Sequence, residues 1–448
     1  MKPKETNNAT TTKGKNPPTP PGDKYIWAIY ITLCLISIVE QYSASSTMVT
    51  TNNVIGPLMK HIGHLFFGFI IIYIVQRIHY TKFIPLIPIV AIVSVGLSIF
   101  VLFGGDVING ARRSFRLFGA LPIQPAELIK FSAAALIAFI MSKSQLADGK
   151  GVSQKGLIIA LGAIVIFGAV LIKQGTTNTI ILLAISLSMM VIGGVPLKKL
   201  FAIIGICILL GAAGIGIKLM LSQGESNENE KENITAVTTN ADSQIEKGET
   251  IDRFSQVVIP RIKRWWYGDS IPKWEQKITR TNYQEQFSYM AQAHGGMFGK
   301  MPGNSIETAR LPLAFSDYIF AIIIEDLGLI GGIFLIILYL SLLFRAGGIA
   351  SQCTRAFPSM LVIGMALYIT LQALFHMGIV SGFFPVSGQP LPLISAGGTS
   401  ILITSLAIGV MLSVSRFASR KGSAQRKEIT QEINALPEDG RAENPSQL

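Results

Sequence analysis

Charged residues are scarce in this sequence. Asp, Glu, Lys and Arg make up 14% of its 448 residues against 50% hydrophobic ones, and the mean hydropathy is +0.48. That balance excludes an ordinary soluble domain. Cysteine is nearly missing: Cys34, Cys207 and Cys353 fall in or beside apolar segments, without metal-ligand spacing, and read as small packing residues. There is no Walker loop, no dinucleotide-binding glycine pattern and no His/Cys cluster, which argues against ATP hydrolysis, hydride transfer and zinc chemistry. Strict apolar/polar alternation is also lacking, which excludes a membrane β-barrel. No cleavable signal peptide is expected, because a polar Thr/Pro/Lys-rich stretch precedes the first apolar run.

What the chain does have is a series of apolar runs long enough to cross a hydrocarbon core of about 30 Å. Ten spans are predicted, at 25–43, 60–78, 83–103, 126–142, 156–172, 177–194, 197–221, 314–344, 357–381 and 393–415. In a bilayer each must satisfy its own backbone, so the fold class is an all-α polytopic membrane protein. The expected organisation is a disordered tail at 1–22, a transmembrane domain at 23–416 and a polar tail at 417–448. A large extracytoplasmic loop, 222–313, joins the seventh and eighth spans. Its first part is polar and acidic, and Trp265, Trp266 and Tyr267 in the second are placed at headgroup level or on a partner-binding surface. "NIT" at 233–235 is a weak glycosylation match.

Lysine and arginine set the orientation. Lys2, Lys4, Lys13, Lys15, Lys24, Arg77, Lys82, Lys143, Lys150, Lys155, Lys198, Lys199, Arg345, Arg355, Arg416, Arg420 and Lys421 fall on one side if the chain begins in the cytoplasm and crosses ten times. Both termini are then cytoplasmic. The net charge of +12 is thus spent on orientation, and nucleic acid is not an expected partner. Against this trend, "NGARRSFRLFG" (109–119) carries Arg112, Arg113 and Arg116 to the outer side, where Lys173 also lies. An anionic ligand bound by the arginine forks is one explanation. Anchoring to anionic headgroups, with Phe115, Leu117 and Phe118 in the interface, is the other.

Acids mark the same side. Asp317 stands at the outer entrance of the eighth span, with Glu325 and Asp326 about 12–14 Å further along. Acids within spans default to function. Asp317 reads equally as a proton acceptor and as a helix cap, whereas Glu325 and Asp326 read as partners of cations or caps of internal helices. In "LPIQPAELIK" (121–130), Glu127 and Lys130 share a helical face and either pair with each other or line a vestibule. The stretch 371–400, rich in Gly, Pro and Ser, points to irregular backbone lining a cavity. His376 within it reads as a packed, hydrogen-bonded histidine. The combination suits a reaction on a lipid-linked, phosphate-bearing substrate at the outer leaflet.

"YSASS" (42–46), "RIHY" (77–80), "NGARRSFRLFGALPIQPAELIKF", "GGMFGKMPGNS", "SDYIFAIIIEDLGLIGG" and "GFFPVSGQPLPLISAGGTS" occur in this order over about 25–416. Together they resemble the SEDS proteins, the shape, elongation, division and sporulation polymerases of the bacterial envelope. The resemblance implies a peptidoglycan glycosyltransferase of the cytoplasmic membrane that polymerises lipid II and releases undecaprenyl diphosphate. It places the proposed catalytic acid at Asp317, which would take the proton of the attacking sugar hydroxyl. Arg112, Arg113 and Lys173 would face the diphosphate. Arg116, Glu127, Lys130, Gln372, Ser395, Gly397 and Gly398 complete the expected substrate-binding set. A divalent cation such as Mg²⁺ or Mn²⁺ is a possible cofactor, although the sequence shows no metal site. The expected partners are lipid II, a class B penicillin-binding protein, other division membrane proteins and membrane lipids. "PGNS" and "EDLGLIGG" resemble division members more than elongation members, which implies work at the septum.

Four departures from the family pattern stand out. Ser114 replaces a Trp after "ARR", Phe315-Ser316 replaces His-Thr before the acid, Ala396 replaces a Tyr, and "QGTTN" (174–178) lacks the usual acid. A lipid flippase or transporter, and a noncatalytic scaffold for the transpeptidase, are the alternative functions. The first would more often show an internal repeat, and none is seen.

Overall fold

The computed structural model describes residues 22–46, 55–108, 111–117, 121–146, 151–201, 275–279, 282–311 and 314–418. Its helices are α1 (Lys24–Ser46), α2 (Ile55–Val75), α3 (Leu86–Gly104), α4 (Pro125–Lys143), α5 (Gln154–Gln174), α6 (Thr176–Ile192), α7 (Tyr283–Gly295), α8 (Ile319–Gln352), α9 (Ala356–Val380) and α10 (Gly398–Phe417). Eight of them, all but α6 and α7, are long and apolar enough to cross a membrane, and α6 is a shorter apolar helix. Nine of the ten predicted spans therefore coincide with described helices. The run 197–221 is helical over 197–201 and otherwise lies outside the described residues, as do Cys207, the "NIT" site, Trp265, Trp266 and Tyr267.

The helices pack as a bundle whose centre is α4, α9 and α10, each buried along most of its length, while α2, α3 and α5 turn broad apolar faces outward. Gly68 lets α2 approach α10: a Cβ there would stand 2.4 Å from Ser405 Oγ. At one corner, Asp23 caps α1 through the N–H groups of Tyr25 and Ile26 and also accepts from the Arg345 guanidinium of α8, at 2.6 Å from Nη2. Its own N–H donates to Ser415 Oγ of α10 at 3.1 Å, so one residue ties three helices together.

The structure departs from the sequence expectation most clearly in the arginine-rich connection and in the eighth run. The arginine-rich connection is a three-stranded antiparallel sheet, β1 (Asp106–Ile108), β2 (Ala111–Leu117) and β3 (Leu121–Ile123), in that order. Short strands between turns carry little periodicity, so they read as loop. The eighth run begins as a helix at Ile319 rather than 314, because 314–318 form turns, and it continues to Gln352.

That helix is also broken. Gly328 has φ +73°, which interrupts the ladder inside α8. Backbone polar groups freed at this depth need partners, and the segment 296–301 supplies them. Lys300 N donates to Glu325 O at 2.9 Å, Met301 N to Asp326 O at 2.8 Å, and Leu329 N to Gly296 O at 2.9 Å. The approach is so close that a Cβ at Gly299 would lie 2.2 Å from Asp326 O. "GGMFGKMPGNS" is thus the inserted partner of a broken helix.

Candidate functional site

The site lies at the end of the bundle where α2, α4, α8 and α10 begin and α1 and α9 finish. Asp317 sits in the turn ahead of α8, one residue before the N-cap, Tyr318. The turn is clamped from the 389–397 segment: Ala396 N donates to Phe315 O at 3.0 Å, and Ser395 Oγ to Ser316 O at 2.7 Å. Ser316 Oγ donates to Asp317 Oδ1 at 3.1 Å. Gly388 presses against the other oxygen, where a Cβ would stand 2.5 Å from Asp317 Oδ2. The carboxylate is therefore fixed from two sides and remains half-exposed. It opens into a small cleft of about 120 Å³ lined by Pro122, Gln124, Ser316, Gly388, Pro390 and the residues from Ala396 to Ser400.

The floor of this cleft is irregular backbone, and its carbonyls are held one by one from three helices, α9, α8 and α1. His376 Nδ1–H donates to Gln389 O at 2.6 Å, and Gln372 Nε2 to Pro390 O at 3.4 Å. Tyr339 of α8 donates to Pro392 O at 2.5 Å, and Ser37 of α1 to Leu393 O at 2.8 Å. Leu393 is kept at φ +67°, a conformation a branched side chain seldom adopts. The segment from 389 to 395 is rigid because four buried side chains hold it.

Glu127, Lys130 and Gln372, expected among the substrate ligands, do not line the cleft. They are 1%, 0% and 0% exposed and satisfy one another. Lys130 Nζ donates to Glu127 Oε1 at 2.8 Å and to Gln372 Oε1 at 3.0 Å. Gln372 Nε2 returns a bond to Glu127 Oε2 at 3.1 Å, and Tyr368 adds another at 3.0 Å. A buried charge persists when paired and hydrogen-bonded in this way. Their link to the site runs through Gln372 to Pro390, so they position the floor. Ser395 is likewise buried, accepting from Leu391 N at 2.7 Å while it clamps Ser316. Gly397 and Gly398 do line the cleft.

Of the two roles expected for Glu325 and Asp326, pairing with cations or capping internal helices, Glu325 takes the second, and both acids accept from backbone or hydroxyl donors. Glu325 accepts from Ile306 N at 2.9 Å, Glu307 N at 3.4 Å and the Ser305 hydroxyl, capping the turn Glu307–Ala309. Asp326 accepts from the Ser43 hydroxyl of α1, which in turn accepts from Gly303 N at 2.8 Å.

The arginines reach this region through backbone. Arg112, Arg113 and Arg116 lie on β2, where Arg112 pairs with Val107 and Arg116 with Pro122, a lining residue. Thr399 Oγ1 donates to Pro122 O at 2.7 Å and accepts from Gln124 N at 3.2 Å, hooking β3 to the head of α10. The side chains of these arginines and of Lys173 lie outside the described residues. No group of three His, Cys, Asp or Glu side chains that could hold a metal ion occurs among the described residues.

Sequence reading missed Gly388, Pro122, Gln124, Thr399 and Ser400 individually. The Gly/Pro-rich character of 371–400 announced a cavity, but no local signal says which of its residues meets Asp317. His64 of α2, whose ring lies against Gly398, carried no signal at all.

Fold and site together define a multi-pass membrane protein with a carboxylate-bearing cleft at one end of its helix bundle. The family described as "Cell cycle protein", that of FtsW, RodA and SpoVE, matches residues 23–231 and 253–420, and the chain belongs to it. Among curated relatives, a probable peptidoglycan glycosyltransferase FtsW of Escherichia coli is 30% identical over 327 residues, covering 72% of this chain and 68% of that protein. Stage V sporulation protein E of Bacillus subtilis is 27% identical over 358 residues, covering 78% and 84%. Among solved structures, a chain from one described as "Structural coordination of polymerization and crosslinking by a peptidoglycan synthase complex" shares the fold with TM-score 0.64 and 18% identity, covering 88% of this chain and 98% of that one. The rod shape determining protein RodA of Thermus thermophilus aligns with TM-score 0.57 and 18% identity, covering 88% and 97%.

Proposed function

We propose that this chain is a peptidoglycan glycosyltransferase that polymerises lipid II at the outer face of the cytoplasmic membrane, as a division-type member of its family. The observation that carries the reading is the Asp317 carboxylate, held between Ser316 and Gly388 at the mouth of a cleft with a rigid floor. A general base must be positioned before it is useful, and it need only reach one hydroxyl. In the reaction the acceptor sugar hydroxyl attacks the anomeric carbon of the donor as its proton passes to Asp317. The bond from that carbon to the diphosphate breaks, and the electron pair leaves on undecaprenyl diphosphate. The cationic strand β2 beside the cleft favours the charge that develops there. A divalent cation would serve the same purpose.

The names of the E. coli relative and of the structural neighbour both support this reading. A class B penicillin-binding protein is the proposed partner, alongside other membrane proteins of the division machinery. The septal cytoplasmic membrane, with both termini inside, is the proposed location. The 1–22 and 417–448 segments are proposed as its cytoplasmic tails.

The test is glycan polymerisation by the purified chain and its Asp317→Asn variant, each given lipid II in detergent with and without a cognate transpeptidase. Long strands from wild type and none from a folded variant are expected. Strands from both would remove Asp317 from the mechanism. Strands from neither, with the partner present, would favour a scaffold or a flippase.

A further inference from the structure

The head of α10 borders the cleft and is left open. Its N-cap, Gly397, has no side chain to cap it, and the first bond into the helix runs from Ile401 N to Gly397 O at 3.0 Å. The N–H groups of Gly398, Thr399 and Ser400 precede that bond and belong to the positive end of a 20-residue helix. All three residues line the same cleft as Asp317. A second observation points to a ligand there. Ser400 is 2% exposed, and its hydroxyl has no hydrogen-bond partner among the described residues. Thr404 and Ser405 further along α10 also carry unpaired buried hydroxyls, but of the three only Ser400 lines the cleft, where its unused bonding capacity is available to a ligand.

A third group comes from another helix. His64 of α2 stands against the first residue of α10, with its Nε2 2.6 Å from where a Cβ on Gly398 would be. Lys60, exposed, lies one turn earlier on α2. Open helix N–H groups and an unpaired hydroxyl on the cleft wall, with an imidazole packed against the first residue of the same helix, are the kinds of donor a phosphate-type anion takes. Asp317 is the one acid among the lining residues.

We propose that the head of α10, with Ser400 Oγ and His64, is the diphosphate site of the cleft, and that it holds the leaving group of an isoprenyl-linked donor sugar. This rests on the glycosyltransferase reading and divides the cleft by role. The acceptor oxygen bonds to the anomeric carbon and gives its proton to Asp317. The carbon–oxygen bond to the diphosphate breaks, and the electron pair settles on the oxygen that faces α10. Strand β2, hooked to the same helix head through Thr399 and Pro122, then supplies background field rather than the seat of the anion. Glycine at 398 is what lets the His64 ring come so close to the helix head.

The experiment is binding of farnesyl diphosphate, farnesyl monophosphate, farnesol and inorganic pyrophosphate to the purified full chain in detergent. It is run on wild type, Ser400→Ala, Ser400→Thr, His64→Gln and Arg113→Ala, with thermal unfolding recorded for each. Farnesyl diphosphate is expected to bind wild type at least about tenfold more tightly than farnesol. Ser400→Ala and His64→Gln are each expected to weaken it by about five- to tenfold, and Ser400→Thr to restore it, as for loss of one charge-assisted hydrogen bond. If Ser400→Ala does not fold, His64→Gln and Ser400→Thr still decide the matter. Pyrophosphate binding as tightly as farnesyl diphosphate, with the same sensitivity, would keep the site and assign it the bare anion. Equal affinity for farnesol, or loss in Arg113→Ala with no change in the other two, overturns the proposal. A chain that binds in the expected pattern yet makes no glycan overturns the glycosyltransferase reading and leaves the diphosphate site standing.

Discussion

Two single residues near the site have consequences that can be measured separately. Gly388→Ala places a carbon 2.5 Å from Asp317 Oδ2, so the carboxylate must move. Displacement of a catalytic group on that scale is expected to lower the polymerisation rate by about 10- to 100-fold, with little change in the unfolding midpoint. A large loss of stability without a rate effect in the surviving protein would show that Gly388 serves packing alone. Lys130→Ala makes the opposite split. It strands the Glu127 carboxylate in a fully buried place, which costs about 3–5 kcal/mol. The unfolding midpoint in detergent is expected to drop sharply, and replacing Glu127 and Lys130 together by Met is expected to recover most of it. If the single variant is as stable as wild type, the pair does not hold the floor. Glu127 and Lys130 were legible as a pair from their spacing alone, because three residues make neighbours on a helix. That the pair is sealed from solvent, and linked through Gln372 to Pro390, depended on α9 and on contacts 242 positions apart.

At the scale of elements, the broken helix α8 and its inserted partner are the least ordinary feature. Gly299→Ala and Gly328→Ala each drive a carbon into a backbone carbonyl at 2.2 Å, and both positions have positive φ. Each is expected to destabilise by about 2–4 kcal/mol and to open 295–305 to proteolysis, read by limited digestion. Unchanged digestion and stability would mean the segment is not seated in the break. Sequence pattern announced the apolar run and its acids but treated the run as one helix, because Gly328 is followed by further apolar residues and nothing local distinguishes a packing glycine from a break. The reverse holds for "NGARRSFRLFG". Its charge was conspicuous, while its strands are too short to carry a period, and their pairing with Asp106–Ile108 and Leu121–Ile123 is what gives them form.

Across the whole molecule, the Asp23–Arg345 contact closes α1, α8 and α10 at the end away from the site. Burial pushes the Asp23 carboxyl pKa up. The hydrogen bonds and charge of Arg345, with the N–H groups of Ile26 and Tyr25, outweigh this and hold it below its ordinary value of 3.8. A depressed carboxyl contributes stability above its unfolded pKa and loses it as pH falls through the folded value. The unfolding midpoint of wild type is therefore expected to fall more steeply than that of Asp23→Asn below pH 3.8. Parallel curves would show that the contact is worth nothing in solution.

The sequence by itself determined that the chain is a helical membrane protein, roughly where most of its spans run, and that Asp317 and a Gly/Pro-rich stretch belong to one feature. Hydrophobic length and charge placement act locally, and a bilayer admits few solutions to them. Only the tertiary structure decided which residues face the cleft, which merely support it, and that the head of α10 borders it with the His64 ring packed against Gly398. Those contacts join four helices far apart in the chain, and their geometry is set by packing that no short window of residues contains.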